Sequence, residues 1–187
     1  MGKQDNKKND DKEEKRLEDW GILYVSSINE GSAQSLIQQI IEYNIKRDVE
    51  QIQMIINSSG GNLVQGFGLL DIMEWSKIPI YTTGTGEVAS IGLMVFMAGN
   101  KGKRVLTPKT SILSHRYSSI VSGNHSQLVA SRKQHDFYHD KIIEHYLKYT
   151  NIKSKNELEE YLLRDIDTWL TPNEAIQYGI ADNIESC

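Results

Sequence analysis

Gly86-Glu87-Val88-Ala89-Ser90-Ile91-Gly92 separates a β-branched run, Pro79 to Thr85, from an apolar run, Leu93 to Ala98. That pattern predicts a sharp strand-to-helix turn, because glycines on both sides allow a tight backbone that side chains would block. A serine at such a corner presents its hydroxyl at the positive end of a helix, beside backbone N–H groups with no intrahelical acceptor. It can act as a nucleophile if the chain also supplies a base and an acid to orient that base.

Outward from this turn, strands and helices alternate. Ile22-Leu23-Tyr24-Val25 reads as a strand, and Ser32 caps a predicted helix ending at Lys46, with Leu36, Ile37, Ile40 and Ile41 at helical spacing. Residues 52–57 form a nearly all-apolar strand, as expected for a parallel strand covered on both faces. Ser58-Ser59-Gly60-Gly61 turns into a helix over 63–76, with Leu69, Leu70, Ile72 and Met73 on its buried side. A third strand over 78–83 leads to the Ser90 turn, and Ser111-Ile112-Leu113-Ser114 is a fourth, ending at His115. This order predicts an α/β fold with a mainly parallel sheet and right-handed crossovers. Residues 126–149 carry a long amphipathic pattern, including Leu128, Val129, Phe137, Ile142, Ile143, Tyr146 and Leu147. A helix of that length would run ~36 Å, too far to lie wholly on one small sheet, so it is expected to project and pack against another subunit. Thr171-Pro172-Asn173-Glu174 marks one more helix start.

Bulk properties narrow the function classes. The 187 residues suit one domain able to bury a core without disulfides. The net charge of −4 and the lack of a basic stripe give no reason to expect nucleic-acid binding. Cys187 is the only cysteine, which argues against an intrachain disulfide and a cysteine nucleophile. No apolar run approaches ~18 residues, so no membrane span is expected. The N-terminus lacks the apolar stretch of a signal peptide, so the expected location is the cytoplasm. Met1-Gly2 opens like a myristoylation site, but Asn6 stands where Ser or Thr is wanted. Residues 1–19, rich in Lys, Asp and Glu, are expected to be a disordered tail preceding a folded domain over 20–187.

The Gly60-Gly61 and Ser90-Ile91 turns share one build: strand, small residues, helix. Neighbouring parallel strands bring such ends together, where ligands bind. The N–H groups of Gly61 and Ile91 could then converge on one acyl oxygen as an oxyanion hole, with glycine at 61 sparing the approach of a substrate carbonyl. The base must be histidine or lysine. His125, His135, His139 and His145 fall in or just before the long helix, where solvated surface positions are expected. His135 and His139 have metal-clamp spacing but no accompanying third ligand. His115 stands apart at a strand end, as either a catalytic base or a capped structural histidine.

Taken together, Ile56-Asn57-Ser58-Ser59-Gly60-Gly61, the Ser90 turn, Ala98-Gly99-Asn100-Lys101-Gly102-Lys103-Arg104, Ser114-His115 and Glu174-Ala175-Ile176-Gln177-Tyr178-Gly179-Ile180-Ala181-Asp182 resemble the ClpP family, the proteolytic subunits of Clp proteases. The likeness runs in order from about Trp20 to Ile184. It implies the ClpP/crotonase-like spiral of β-β-α units with a mainly parallel sheet and a projecting handle helix at about 126–149. It also implies a serine endopeptidase that cuts unfolded polypeptides inside a homo-oligomeric chamber, a heptameric ring or two, without metal or cofactor. By resemblance the nucleophile falls on Ser90, the base on His115 and the oxyanion amides on Gly61 and Ile91. The acid falls on Asp167, since aligning Trp169-Leu170 through Glu174-Ala175 needs no gap; Asp165 is the competitor.

Departures from the family pattern carry information too. Ser59 replaces a usual proline, and Arg116-Tyr117 replaces Gln-Pro after the base. Ile166 replaces an arginine tied to assembly. Gln53 and Ile55 stand where aromatics line the pocket that docks an AAA+ unfoldase, and the charged tail stands where a hydrophobic axial gate is usual. The implied partners are therefore a dedicated unfoldase, a hybrid ring with another ClpP, or neither. Rival readings are a non-catalytic ring-forming subunit, a crotonase-type acyl-CoA enzyme and a viral ClpP-like peptidase.

Overall fold

The computed structural model describes residues 16–186, so the expectation of a disordered tail lies, for positions 1–15, outside the described residues. Of the remaining tail positions, Leu17 to Asp19 join Trp20 in a short 3₁₀ turn rather than staying unstructured. The chain then runs β1 (Ile22–Val25), α1 (Glu30–Lys46), β2 (Ile52–Ser58), α2 (Leu63–Trp75), β3 (Ile80–Ala89), α3 (Ile91–Met97), β4 (Arg104–Leu106), β5 (Ser111–Ser114), α4 (His125–Tyr149), α5 (Lys155–Tyr161), β6 (Thr168–Leu170), α6 (Pro172–Gln177) and β7 (Asn183–Ile184). The α/β architecture expected from the alternating pattern is the one observed. Strands β1, β2, β3, β4 and β7 lie side by side and parallel, β5 joins β3 in parallel, and β6 is antiparallel to β5.

Alternation along β1 and β2 sends Leu23, Val25, Ile52, Met54 and Ile56 inward, where they are buried. Ala33, Leu36 and Ile40 of α1 and Leu69, Leu70 and Met73 of α2 close the same core. Every residue of α3 is buried. The opposite face of the sheet is more open: Tyr24 is exposed, and Gln53, Ile55, Tyr81, Thr83 and Val105 are half-buried.

Helix α1 starts two residues before Ser32, and its cap is Asn29, whose Oδ1 accepts from Ser32 N–H while Ser32 Oγ accepts from Asn29 N–H. Ser32 is therefore the third helical residue of a capping box, not the cap. The larger difference is in β3, which continues six residues past the expected end at Thr83. From Gly84 to Val88 it spends four residues where β2 spends two, Ile56 to Ser58. Gly86 sits at φ +62° in this bulge, and a Cβ there would lie 2.7 Å from Asn57 Oδ1. The bulge divides the strand's partners. Thr82–Gly84 pair with β4, and Glu87–Ala89 pair with β5. Only through this switch does the end of β3, carrying Ser90, arrive beside the end of β5, carrying His115.

Helix α4 runs 25 residues, capped by Asn124. Its buried residues are all near its C-terminal end, Ile142, Ile143, His145 and Tyr146, while Leu128, Val129 and Phe137 are exposed. The helix therefore projects, as its length demanded. The short elements β4, α5, β6 and β7 have too few residues to show a period and were not expected from the pattern.

Candidate active site

Ser90 adopts φ 55°, ψ −129°, one of two described non-glycine residues at positive φ. It is the N-cap of α3, yet its side chain caps nothing. Strain of this kind costs about 1–3 kcal/mol and persists only where the surroundings impose it. Here they do: Ser90 N–H donates to the Leu113 carbonyl of β5 at 3.1 Å, and the Leu93 and Met94 amides return to the Ser90 carbonyl. The hydroxyl is thus not engaged in capping its own helix.

Gly60 and Gly61 pack against this corner. A Cβ on Gly60 (φ +97°) would lie 2.8 Å from Ser90 Cβ. One on Gly61 (φ +146°) would run into the Ile28 carbonyl. The expectation that glycine at 61 spares a substrate carbonyl is corrected: the constraint is internal, from the chain leaving β1. There Ile28 N–H donates to Gly60 O and Asn62 N–H to Ile28 O, a bridge that gives the Gly61 N–H no hydrogen-bond acceptor among the described residues. Ile91, the first residue of α3, likewise has no intrahelical acceptor for its N–H.

Gly61, Ser90, Ile91 and His115 line one cavity of about 420 Å³. Its far wall is a stripe of α4 at every fourth residue: Gln134, Tyr138, Ile142 and Tyr146. These wall residues were not singled out from sequence as parts of a site, although their i, i+4 spacing was visible. Tyr117, two residues past His115, packs edge-on against Tyr138 at 5.7 Å and against His135 at 5.4 Å.

A model of the Clp protease family matches residues 4–186. The chain belongs to the Clp protease family. It is 31% identical over 170 residues, 90% of its length, to the ATP-dependent Clp protease proteolytic subunit of Deinococcus radiodurans, covering 81% of that protein. It is 29% identical to the ATP-dependent Clp protease proteolytic subunit 2 of Nocardia farcinica, over 92% of this chain and 84% of that one. Subunit 1 of Corynebacterium jeikeium is 28% identical, over 91% and 89%.

In this Clp protease chain the two candidate acids differ in their surroundings. Asp165 is ion-paired to Arg116 Nη1 at 2.8 Å, and Arg116 Nε donates to the Leu163 carbonyl. Asp167 is exposed and does not line the cavity. The β5–β6 register ends with Ser114 paired to Thr168, so His115 and Asp167 are the next residues beyond the last pair. Among the described residues no hydrogen bond joins Ser90 to His115 or His115 to Asp167; such contacts commonly tighten only with substrate bound.

Of the other histidines, His125 is exposed as expected, while His135, His139 and His145 depart from solvated positions. His145 is buried, and its Nε2–H donates to the Met94 carbonyl at 2.9 Å. Burial pushes its pKa down to about 4, against the opposing pull of that carbonyl and Glu74. His135 is half-buried, 2.9 Å from Ser119 Oγ, and His139 lies 3.8 Å from Glu159. Among the described residues no three His, Cys, Asp or Glu side chains are grouped to hold a metal, and no helix is long and apolar enough to cross a membrane.

Proposed function

We propose that the chain is a serine endopeptidase cutting unfolded polypeptides, with Ser90 as nucleophile, His115 as base, Asp167 as orienting acid and the Gly61 and Ile91 amides as oxyanion hole. One observation carries this reading: a strained serine corner and a histidine line one cavity with Gly61 and Ile91, whose backbone N–H groups have no acceptor among the described residues. His115 takes the Ser90 proton as Oγ attacks the scissile carbonyl, and the two amides stabilise the oxyanion. Collapse expels the amine, which takes the proton from His115. Water, activated by the same imidazole, then releases the acyl group. Asp167 holds the imidazole tautomer once it closes on His115. It is favoured over Asp165, whose carboxylate Arg116 already holds.

Chamber and location belong to the same reading. The exposed apolar positions of α4 and those at Ile166 and Trp169 fit a ring-forming subunit of the cytoplasm, seven to a ring, with α4 pairing two rings. Folded substrates would require an ATP-driven AAA+ unfoldase. On the sheet face expected to dock one, the polar Gln53 donates from Nε2 to Thr83 Oγ1 at 3.0 Å, and Ile55 stands where an aromatic is usual. A dedicated partner, or a hybrid ring with another ClpP, fits that face better than a standard one.

A fluorophosphonate probe tests the assignment. Ser90 is expected to be labelled in the wild type and unlabelled in Ser90→Ala, which loses peptide cleavage by several orders of magnitude, leaving ~10³–10⁴ over water. Cleavage that survives Ser90→Ala and is abolished by EDTA would overturn it.

A further inference from the structure

His145 and Tyr146 are consecutive on α4, and neighbouring positions on a helix point about 100° apart. They reach the two elements that carry Ser90 and His115. His145, 8% exposed, donates from Nε2 to the Met94 carbonyl at 2.9 Å. A carbonyl only accepts, so the neutral ring is the Nε2–H tautomer. Met94 lies four residues beyond Ser90 on α3, and its carbonyl also receives the Ala98 N–H at 3.1 Å. Tyr146, 2% exposed, meets Ser114 Oγ at 2.9 Å. The single proton of Ser114 goes to the Leu162 carbonyl at 2.8 Å, so the Tyr146 hydroxyl must be the donor to Ser114. Ser114 is the residue before His115.

We propose that His145 and Tyr146 are positioning residues, a two-armed brace at the base of α4 that sets the separation between Ser90 and His115. This rests on the peptidase reading above. One arm ties α4 to the helix whose N-cap is Ser90; the other ties it to the strand that ends at His115. Packing alone does not call for these polar atoms, since leucine and phenylalanine would fill the same volumes. A hydrogen bond adds direction, and buried polar groups so satisfied select one arrangement of the elements they join. The ring of His145 stays neutral in this surrounding, with Glu74 of α2 and Lys148 of α4 as the charges acting on it. Most of α4 outside this base projects into solvent, so the brace is also the point through which handle movement would reach the reacting groups.

Three variants test the brace: Tyr146→Phe, His145→Leu, and His145→Gln, whose amide N–H can replace Nε2–H. Peptide kcat and KM, the rate of Ser90 acylation by a fluorophosphonate, and hydrogen exchange over residues 86–97 and 111–117 are measured on the full chain. Misplacement of reacting groups by an ångström costs on the order of 10² in rate. Tyr146→Phe and His145→Leu are accordingly expected to lower kcat and acylation about tenfold or more while KM stays within about twofold. His145→Gln is expected to recover most of the loss, and exchange should quicken in the segment each variant unties. Wild-type kcat in both Tyr146→Phe and His145→Leu would overturn the brace, as would a fall in which KM rises in step. If His145→Leu does not fold, the near-isosteric Tyr146→Phe and His145→Gln still decide. If the wild type is neither labelled at Ser90 nor active, the peptidase reading fails on its own. Exchange then judges the brace: faster in both segments upholds it, unchanged overturns it.

Discussion

Arg104 and Asp182 form a nearly buried two-pronged pair that locks β4 to the end of the chain. Nε donates to Oδ2 at 2.9 Å and Nη2 to Oδ1 at 2.6 Å. The Gly102 and Arg104 amides also donate to Oδ2, and Arg104 Nη1 reaches the Tyr149 carbonyl at the end of α4. Burial by itself would raise the Asp182 carboxyl; the Arg104 guanidinium and these amides outweigh it and hold the pKa below the ordinary value. Removing one partner of such a pair costs about 3–5 kcal/mol, because the other charge is left uncompensated. Asp182→Asn is expected to lower the denaturation midpoint accordingly. A depressed carboxylate pKa stabilises above its unfolded value and loses that contribution as pH falls through the folded one. Asp182→Asn should therefore lose part of the wild-type dependence on acid pH, as urea titrations at stepped pH will show.

Gly60→Ala tests how tightly the serine corner is held. The added methyl meets Ser90 Cβ at 2.8 Å and the Ala89 carbonyl at 3.0 Å, at a backbone φ that disfavours alanine. The expected outcome is a fall in kcat by about two orders of magnitude, since a displacement near 1 Å has that effect. Steady-state peptide kinetics on the folded variant check it.

His145 sets an acid limit on stability. Its folded pKa of about 4 lies below the ordinary 6.5, so between those values the unfolded chain binds more protons than the native one. The contribution is intact above pH 6.5 and falls as pH drops toward 4, by about 3 kcal/mol. His145→Leu should flatten that part of the stability–pH curve.

Assembly should depend on the projecting part of α4. Leu128, Val129 and Phe137 are 44%, 58% and 56% exposed in the single chain, three large apolar side chains on the projecting part of one helix. Phe137→Glu is expected to shift the wild-type oligomer to a smaller particle in sedimentation velocity without changing the subunit's far-ultraviolet dichroism. A wild-type chain that sediments as a monomer at micromolar concentration would remove the basis for this expectation.

The open sheet face should dock a standard bacterial ClpX or ClpA unfoldase weakly or not at all. Gln53 donates to Thr83 there, and losing several tens of Å² of apolar contact per site costs about 1 kcal/mol at ~25 cal/mol per Å², repeated around a ring. Gln53→Tyr with Ile55→Tyr should strengthen capture in an ATP-dependent pull-down. Tight capture by the unaltered chain, with degradation of a tagged folded substrate, would refute the expectation.

Local pattern was enough for much of this protein. The Ser90 turn, the apolar β2 strand, the length of α4 and the Thr171 capping box are each encoded within a few turns or residues of chain, so the α/β class could be read directly, while His115 stands out only as a histidine at a strand end. Tertiary structure decided what depends on distant neighbours. The Gly86 bulge moves β3 from β4 to β5 and so brings Ser90 beside His115; it answers to Asn57, twenty-nine residues away. Gly61 is glycine because of the Ile28 carbonyl, a contact invisible until β1 and the Gly60-Gly61 turn are packed together. His145 looks like a surface residue of a polar helix, yet α3 folds against it and takes its proton donor. Asp165 and Asp167 are chemically identical and two residues apart; only the packed structure shows that Arg116 pairs with Asp165. Periodicity reports which face of an element is buried, but not which partner buries it, because that choice is made between segments far apart in the chain.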